Sequence, residues 1–206
     1  MKKALLVFAL IAISAVSINA QNNLKWGLMA GMNVSKYTFT GFDNRVGFHA
    51  GVKAELGLSQ GASGAYMDFA GLLSLKGAKI DGGSIASITF NPVYLEIPVH
   101  IGYKYAVNDD LSLFGSAGPY IGIGLFGKAK IKGDIVESIG SDDSMSENIF
   151  GEDGLNRFDF GLGLKAGLEF SHKYQVSLSY DFGLVDAQDE IGLKNRNLMI
   201  SFGYMF

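Results

Sequence analysis

Apolar and polar residues alternate with a period of two along most of the chain. The pattern is cleanest over Arg45 to Leu58. Val46, Phe48, Ala50, Val52, Ala54, Leu56 and Leu58 point one way; Gly47, His49, Gly51, Lys53, Glu55 and Gly57 point the other. A period of 3.6 would spread Lys53 and Glu55 around the apolar face, so this segment reads as a strand. The same alternation recurs over about Leu24 to Ser35, Ala65 to Lys79, Ile88 to Tyr105, Leu111 to Gly127, Arg157 to Phe170 and Tyr174 to Leu184. It returns in the closing stretch from Asn197, where Leu198, Ile200, Phe202, Tyr204 and Phe206 share one face. A strand that ends a chain on an apolar-face aromatic residue must be paired, or it is an exposed sticky edge. Pairing with the first strand removes that edge. Pro98, which lacks a ladder donor, is expected to mark a local bulge or a break in pairing.

Eight strands of this length each suffice for the ~9–11 residues with which a tilted strand crosses a bilayer. The expected turns at Ser59–Ser63, Asn108–Asp110 and Ser171–Lys173 are short. The connections after the first, fifth and seventh strands are longer, with the longest at about 128–156 and the last at about Val185 to Lys194. Short periplasmic turns alternating with long outer loops are the outer-membrane arrangement. The predicted fold is therefore all-β, an eight-stranded antiparallel up-and-down transmembrane β-barrel with both termini in the periplasm.

A soluble barrel also alternates, but with its apolar face inside. Three features place lipid outside here. The apolar face is nearly uninterrupted, while the other mixes glycines with charges. Aromatic residues gather near strand ends, with Trp26, Tyr103, Tyr105, Phe170, Tyr174, Tyr204 and Phe206 at the turn end and Phe39, Phe90, Phe158 and Phe182 at the loop end, as membrane interfaces favour. The chain ends on Phe206, so Tyr204 and Phe206 are expected to act as a C-terminal assembly signal. The inner face then holds Lys76 and a predicted polar network of Lys53, Glu55, Asp68, Glu96, His100, Lys104, Asp159, Lys165, Glu169 and Asp181. A barrel of eight strands is just wide enough for its own side chains. Because buried charges need partners, these groups are expected to pair into a plug with no wide aqueous pore. Gly118, Gly122, Gly124, Gly161, Gly163 and Gly167 are expected to make room for them.

Composition narrows the class further. Of 206 residues, 28 are glycine, three are proline and none is cysteine. The glycine share is about twice the usual ~7%. Lack of cysteine excludes disulfides, thiolate catalysis and a lipid anchor on cysteine. A net charge of −3 gives no reason to expect nucleic acid as a partner. Beyond the N-terminus no run approaches the ~20 apolar residues of a membrane helix. Met1 to Ala20, with Lys2 and Lys3 before an apolar stretch and Ala20 before the cut, reads as a secretory signal peptide. The barrel domain is then 21–206.

Motifs that suggest chemistry fail on context. Gly122 to Gly127 matches G-x-G-x-x-G, but the glycines continue a strand and no helix opens to offer N–H groups to phosphate. His172 falls in a turn; His49 and His100 read as satisfied interior histidines. No G-x-S-x-G occurs, and the polar residues face away from lipid, so neither catalytic nor metal-binding residues nor a cofactor are assigned. The acidic stretch around Asp142 and Asp143 lacks an EF-hand pattern and reads as a solvated loop. Asn33-Val-Ser35 fits a glycosylation triplet but lies within a strand.

Several stretches carry a resemblance to a known family. They are Tyr94-Leu-Glu-Ile-Pro98 continuing to Tyr103, Arg157-Phe-Asp-Phe-Gly161 continuing to Phe170, Tyr180-Asp-Phe-Gly183, and Lys194-Asn-Arg196. Together they resemble the PorT-type outer-membrane β-barrel family of Bacteroidetes. The resemblance implies an eight-stranded barrel in the cell outer membrane; the founding member of that broad family is linked to type IX secretion and gliding. The expected function is a non-enzymatic barrel with a filled lumen that acts through its extracellular loops. The alternatives are a narrow channel for small solutes and a membrane-embedded lipid-modifying enzyme. Expected partners are outer-membrane lipid and lipopolysaccharide, the barrel assembly machinery, and a protein at the extracellular loops.

Overall fold

The computed structural model describes residues 23–38, 43–59, 61–81, 87–132, 149–150, 154–188 and 192–206. Among these residues nine strands form: β1 (Leu24–Tyr37), β2 (Arg45–Gly57), β3 (Gly64–Leu75), β4 (Lys79–Asp81), β5 (Ser87–Ala106), β6 (Leu111–Lys132), β7 (Phe158–Phe170), β8 (Tyr174–Gln188) and β9 (Leu193–Met205). Apart from β3 and β4, neighbours along the chain pair antiparallel; β1 pairs with β9, and β3 pairs directly with β5. Eight strands thus close into a barrel, and β4 is a short addition hydrogen-bonded to the loop end of β5. The closing strand has its partner: Ala30 faces Phe202, and Val34 faces Leu198.

Burial follows the alternation in the sequence, with its usual direction reversed. Phe48, Ile101, Ile200 and Phe202 are each more than half exposed, while Lys53, Glu96, His100 and Asp159 are almost completely enclosed. In water such an apolar surface, running around the whole barrel, would far exceed the patches that soluble proteins tolerate. It is the outer surface of a barrel immersed in lipid.

Several boundaries differ from the sequence reading. β6 runs on to Lys132, and β8 and β9 extend to Gln188 and back from Leu193, where loops are expected. Lys128 and Asp186 read as loop residues because they are charged. Above the apolar band, however, charge on the outer face does not interrupt the ladder, and pairing continues at Asn91↔Lys128 and Asp186↔Lys194. β3 stops at Leu75, short of Lys79, and Lys79 starts the unanticipated β4. Pro98 marks a break and not a bulge. The β3–β5 ladder is interrupted between Phe69↔Val99 and Leu72↔Glu96, opposite Pro98, without a change of register. The register shift in β5–β6 lies higher, between Val93 and Tyr94. The expected signal peptide at 1–20, Phe39, and the acidic stretch with Asp142 and Asp143 lie outside the described residues.

Ile200 lies near the middle of β9 and is 59% exposed. Ile200→Arg is expected to lower stability in phospholipid vesicles by about 2–4 kcal/mol, the cost of a cation on the lipid face near the midplane. Urea unfolding followed through the one tryptophan, Trp26, measures it. An unchanged midpoint would mean that this face meets water.

Candidate functional site: the barrel lumen and its two mouths

Alternation obliges every second residue of every strand to point inward. The interior is too narrow to hydrate charges individually, so each group must find a partner on another strand. Near the turn end, six charged residues form a lattice. Lys53 on β2 lies 2.9 Å from Glu55 and 3.5 Å from Asp68 on β3. Lys104 on β5 bridges Glu55 at 2.9 Å and Glu169 on β7 at 2.5 Å. Lys165 on β7 reaches across to Asp68 at 2.5 Å. Three lysines face three carboxylates, so the charges balance. Gln175 on β8 ties the lattice together. It accepts from Lys53 Nζ at 2.6 Å and donates to Glu55 at 2.8 Å and Glu169 at 2.7 Å.

A second cluster lies toward the loop end. Lys76, fully buried just past β3, pairs with Glu96 and lies 3.4 Å from Asp159. Its ammonium sits 4.6 Å from the centre of the Tyr120 ring, and the Tyr120 hydroxyl donates to Asp159 at 3.3 Å. Asp181 accepts from Asn197 at 3.5 Å. Along the closing seam, His49 bonds Asn33 at 2.5 Å and Ser201 at 2.9 Å, and Asn33 donates to Ser74 at 2.9 Å. These contacts join β9, β1, β2 and β3. His100 differs from expectation: it is buried, but among the described residues neither ring nitrogen has a hydrogen-bond partner.

The glycines have a visible task. A Cβ on Gly161 would stand 2.7 Å from the Tyr120 ring, one on Gly163 2.7 Å from His100, and one on Gly167 2.5 Å from Phe114. Gly124 does the same for Phe150, which descends from the long loop into the barrel mouth. There Phe150 meets Tyr94 edge-on at 5.7 Å and packs with Tyr37, Ala78, Leu155, Ala187 and Leu193. The guanidinium of Arg157 covers the Phe150 ring at 5.0 Å. Near the end of the 128–156 connection, Phe150 and Leu155 therefore form part of an apolar cap.

The opposite mouth is open. A recess of about 450 Å³ is lined by Lys25, Ser59, Ala62, Tyr66 and His172, and it also touches Glu55, Lys104 and Glu169 of the lattice. At this end Tyr204 and Phe206 sit on the outer wall. Tyr204 packs against Tyr174 at 5.4 Å and Phe206 at 5.6 Å, and the Phe206 amide donates to the Trp26 carbonyl. Among the described residues no group of three or more His, Asp or Glu side chains is arranged to hold a metal ion.

The structure thus brings together Lys53, Glu55, Asp68, Lys104, Lys165 and Glu169 in one lattice, and Glu96 and Asp159 around Lys76. Asp181 is bonded to Asn197, and His100 stands outside both groups. His49 is the satisfied interior histidine expected from the sequence, whereas Gln175, Asn33, Asn197 and Ser201 complete the contacts without having been named for the network. Their inward parity marks them as interior, but parity alone does not say which partners they reach.

Residues 19–189 match the family model of the outer membrane protein beta-barrel domain. None of the curated proteins matches. Among solved structures, Ail, the attachment invasion locus protein of Yersinia pestis, aligns at 20% identity over 89% of this chain and 99% of that one, with a TM-score of 0.43. Neisserial surface protein A aligns at 12% identity, over 87% and 95% of the two chains, with a TM-score of 0.41. OprG from Pseudomonas aeruginosa aligns at 12% identity, over 89% and 94%, with a TM-score of 0.37.

Replacing Lys76 by methionine leaves Glu96 and Asp159 buried without their cation. The expected loss is about 3–5 kcal/mol of unfolding free energy, the cost of breaking a buried pair from one side. Lys173→Met, in an exposed turn, is expected to change it by less than about 0.5 kcal/mol. Equal effects for the two variants in vesicle-based urea titrations would mean that the Lys76 contacts hold nothing together.

Proposed function

Since the chain belongs to the outer membrane protein beta-barrel domain family and is a protein of the outer membrane, we propose that it is a closed, non-enzymatic scaffold. In this reading the barrel anchors a loop-end surface that faces the cell exterior and engages a partner there. The observation that carries it is the doubly blocked lumen. The turn-end recess stops at the lattice of Glu55, Lys104, Glu169 and Gln175, and the loop end is sealed by Tyr37, Tyr94, Phe150 and Leu193. A barrel filled in this way has its variable surface only at the loops, where function commonly resides. A role linked to a secretion apparatus belongs to this reading; what supports it is the resemblance around Tyr94 to Pro98 and at Lys194 to Arg196.

The enzyme alternative is the weaker one. Chemistry on membrane lipid needs reactive groups on the outer wall, whereas Asp159, His49 and Ser201 are enclosed. A narrow channel would need a continuous path past both blocks.

Planar-bilayer recordings of the purified barrel are expected to show no large steady conductance. A stable open level would overturn the closed-scaffold reading in favour of the channel. Affinity capture from detergent-solubilised outer membranes is expected to retain a partner with the intact chain and to lose it when residues 133–148 are replaced by a short Gly-Ser linker. Retention by both forms would exclude the long loop as the contact.

A further inference from the structure

The outer wall at the loop end carries an arrangement that neither the lumen nor the cap explains. Lys36 on β1 and Arg196 on β9 stand directly opposite one another in the ladder. Both point outward, because Ser35, Tyr37, Asn195 and Asn197 on either side of them are buried. Directly opposed side chains on one face have Cβ atoms about 4.5–5.5 Å apart, and like charges so placed repel. Among the described residues neither cation has a carboxylate partner. Arg196 donates to the carbonyl oxygens of Gly183 and Asn195, each at 2.9 Å, and its guanidinium lies 5.8 Å from the Phe182 ring. Lys194, two residues along on the same face, has its own carboxylate in Asp186 at 3.5 Å. Along the β1–β9 seam, among the described residues, the unpaired positive charge is therefore that of Lys36 and Arg196.

Its position identifies what would neutralise it. The next outward row toward the membrane is Val34, Leu198 and Tyr180, all on the apolar surface, with Phe182 alongside Arg196. Two cations immediately above an apolar wall sit where an anionic headgroup meets its acyl chains. A guanidinium grips phosphate with paired N–H donors, and an ammonium adds a mobile point charge. A free anion would gain nothing from the apolar rows below, and an acidic protein would have to lie in the lipid to reach them.

We propose that Lys36 and Arg196 form a docking site for a phosphate of an outer-leaflet phosphoglycolipid, whose chains lie along Val34, Leu198, Tyr180 and Phe182. The site rests on the loop end facing the cell exterior, as in the closed-scaffold reading, but its occupancy does not depend on whether the lumen conducts.

The test is native mass spectrometry of the folded full chain in detergent, titrated with bisphosphorylated lipid A, with lipid A stripped of both phosphates, and with inorganic phosphate as competitor. One bound lipid A per barrel is expected. Lys36→Gln and Arg196→Gln are each expected to weaken it roughly fivefold, equivalent to about 1 kcal/mol per cation near an anionic lipid surface. Removing the lipid phosphates is expected to match the double variant, and Lys173→Gln at the other end is expected to bind as wild type. Equal binding by wild type and double variant, or equal binding of phosphorylated and stripped lipid, overturns the proposal. Competition by inorganic phosphate at equal concentration does so too, because it marks a free-anion site. A gel-mobility shift on heating verifies that each variant is folded. Should the double variant fail that check, the exposed Lys36→Gln alone decides, with no weakening counting against the site.

Discussion

Inside a ring of eight strands, a charge can be neither hydrated as in bulk water nor left alone. That constraint organises this molecule. Removing one partner from a buried ion pair costs several kcal/mol, far more than a surface pair is worth. The lattice meets the constraint by sharing: Lys53, Lys104 and Lys165 each contact a carboxylate, and Glu55 and Asp68 each serve two lysines. Because the members sit on β2, β3, β5 and β7, with Gln175 from β8, satisfying the charges also holds opposite walls of the barrel at fixed separation. The glycines follow from the same demand. Phe114, Tyr120 and His100 occupy the interior only because Gly167, Gly161 and Gly163 carry no Cβ on the facing wall.

The two ends of the barrel solve different problems. At the turn end the seam must close, and it does so through backbone hydrogen bonds on both sides of the last residues, from Met205 to Lys173 and from Phe206 to Trp26. At the loop end the lumen must be shut above its charges. There an apolar cap is used, with Phe150 lowered onto Tyr94. Excluding water above Lys76, Glu96 and Asp159 strengthens their mutual attraction. The cap and the upper cluster therefore support each other. The loop is tied to the barrel through Phe150 and Leu155, near its end.

Much of this was legible in the sequence, for a physical reason. A period of two, sustained through eight segments, determines which face each residue occupies, and the narrowness of an eight-stranded barrel determines what the inner face must be. Lys53, Glu55 and Glu169 could thus be placed inside from parity alone, as could the closure of β9 on β1. Pairing could not, because it depends on the stagger between strands. Lys165 reaches Asp68 although 97 residues separate them, and nothing in the local pattern around either marks the other. Strand ends were also hidden. Lys128 and Asp186 look like loop residues, yet the ladder continues past the level where lipid stops selecting side chains. Phe150 was missed because a lone aromatic residue in a polar segment has no periodicity, and only Gly124, which vacates its place, hints at it.

Solvent access to the middle of the lumen tests the central claim most directly. The chain contains no cysteine, so single cysteines can be introduced on a clean background. Ser179 points into the barrel between the two blocks and is 4% exposed, whereas Ala62 lines the turn-end recess. A small charged methanethiosulfonate reagent applied to the folded barrel should modify A62C readily and leave S179C unmodified until the protein is unfolded. Rapid modification of S179C in the folded state would contradict a lumen closed by its own ion pairs.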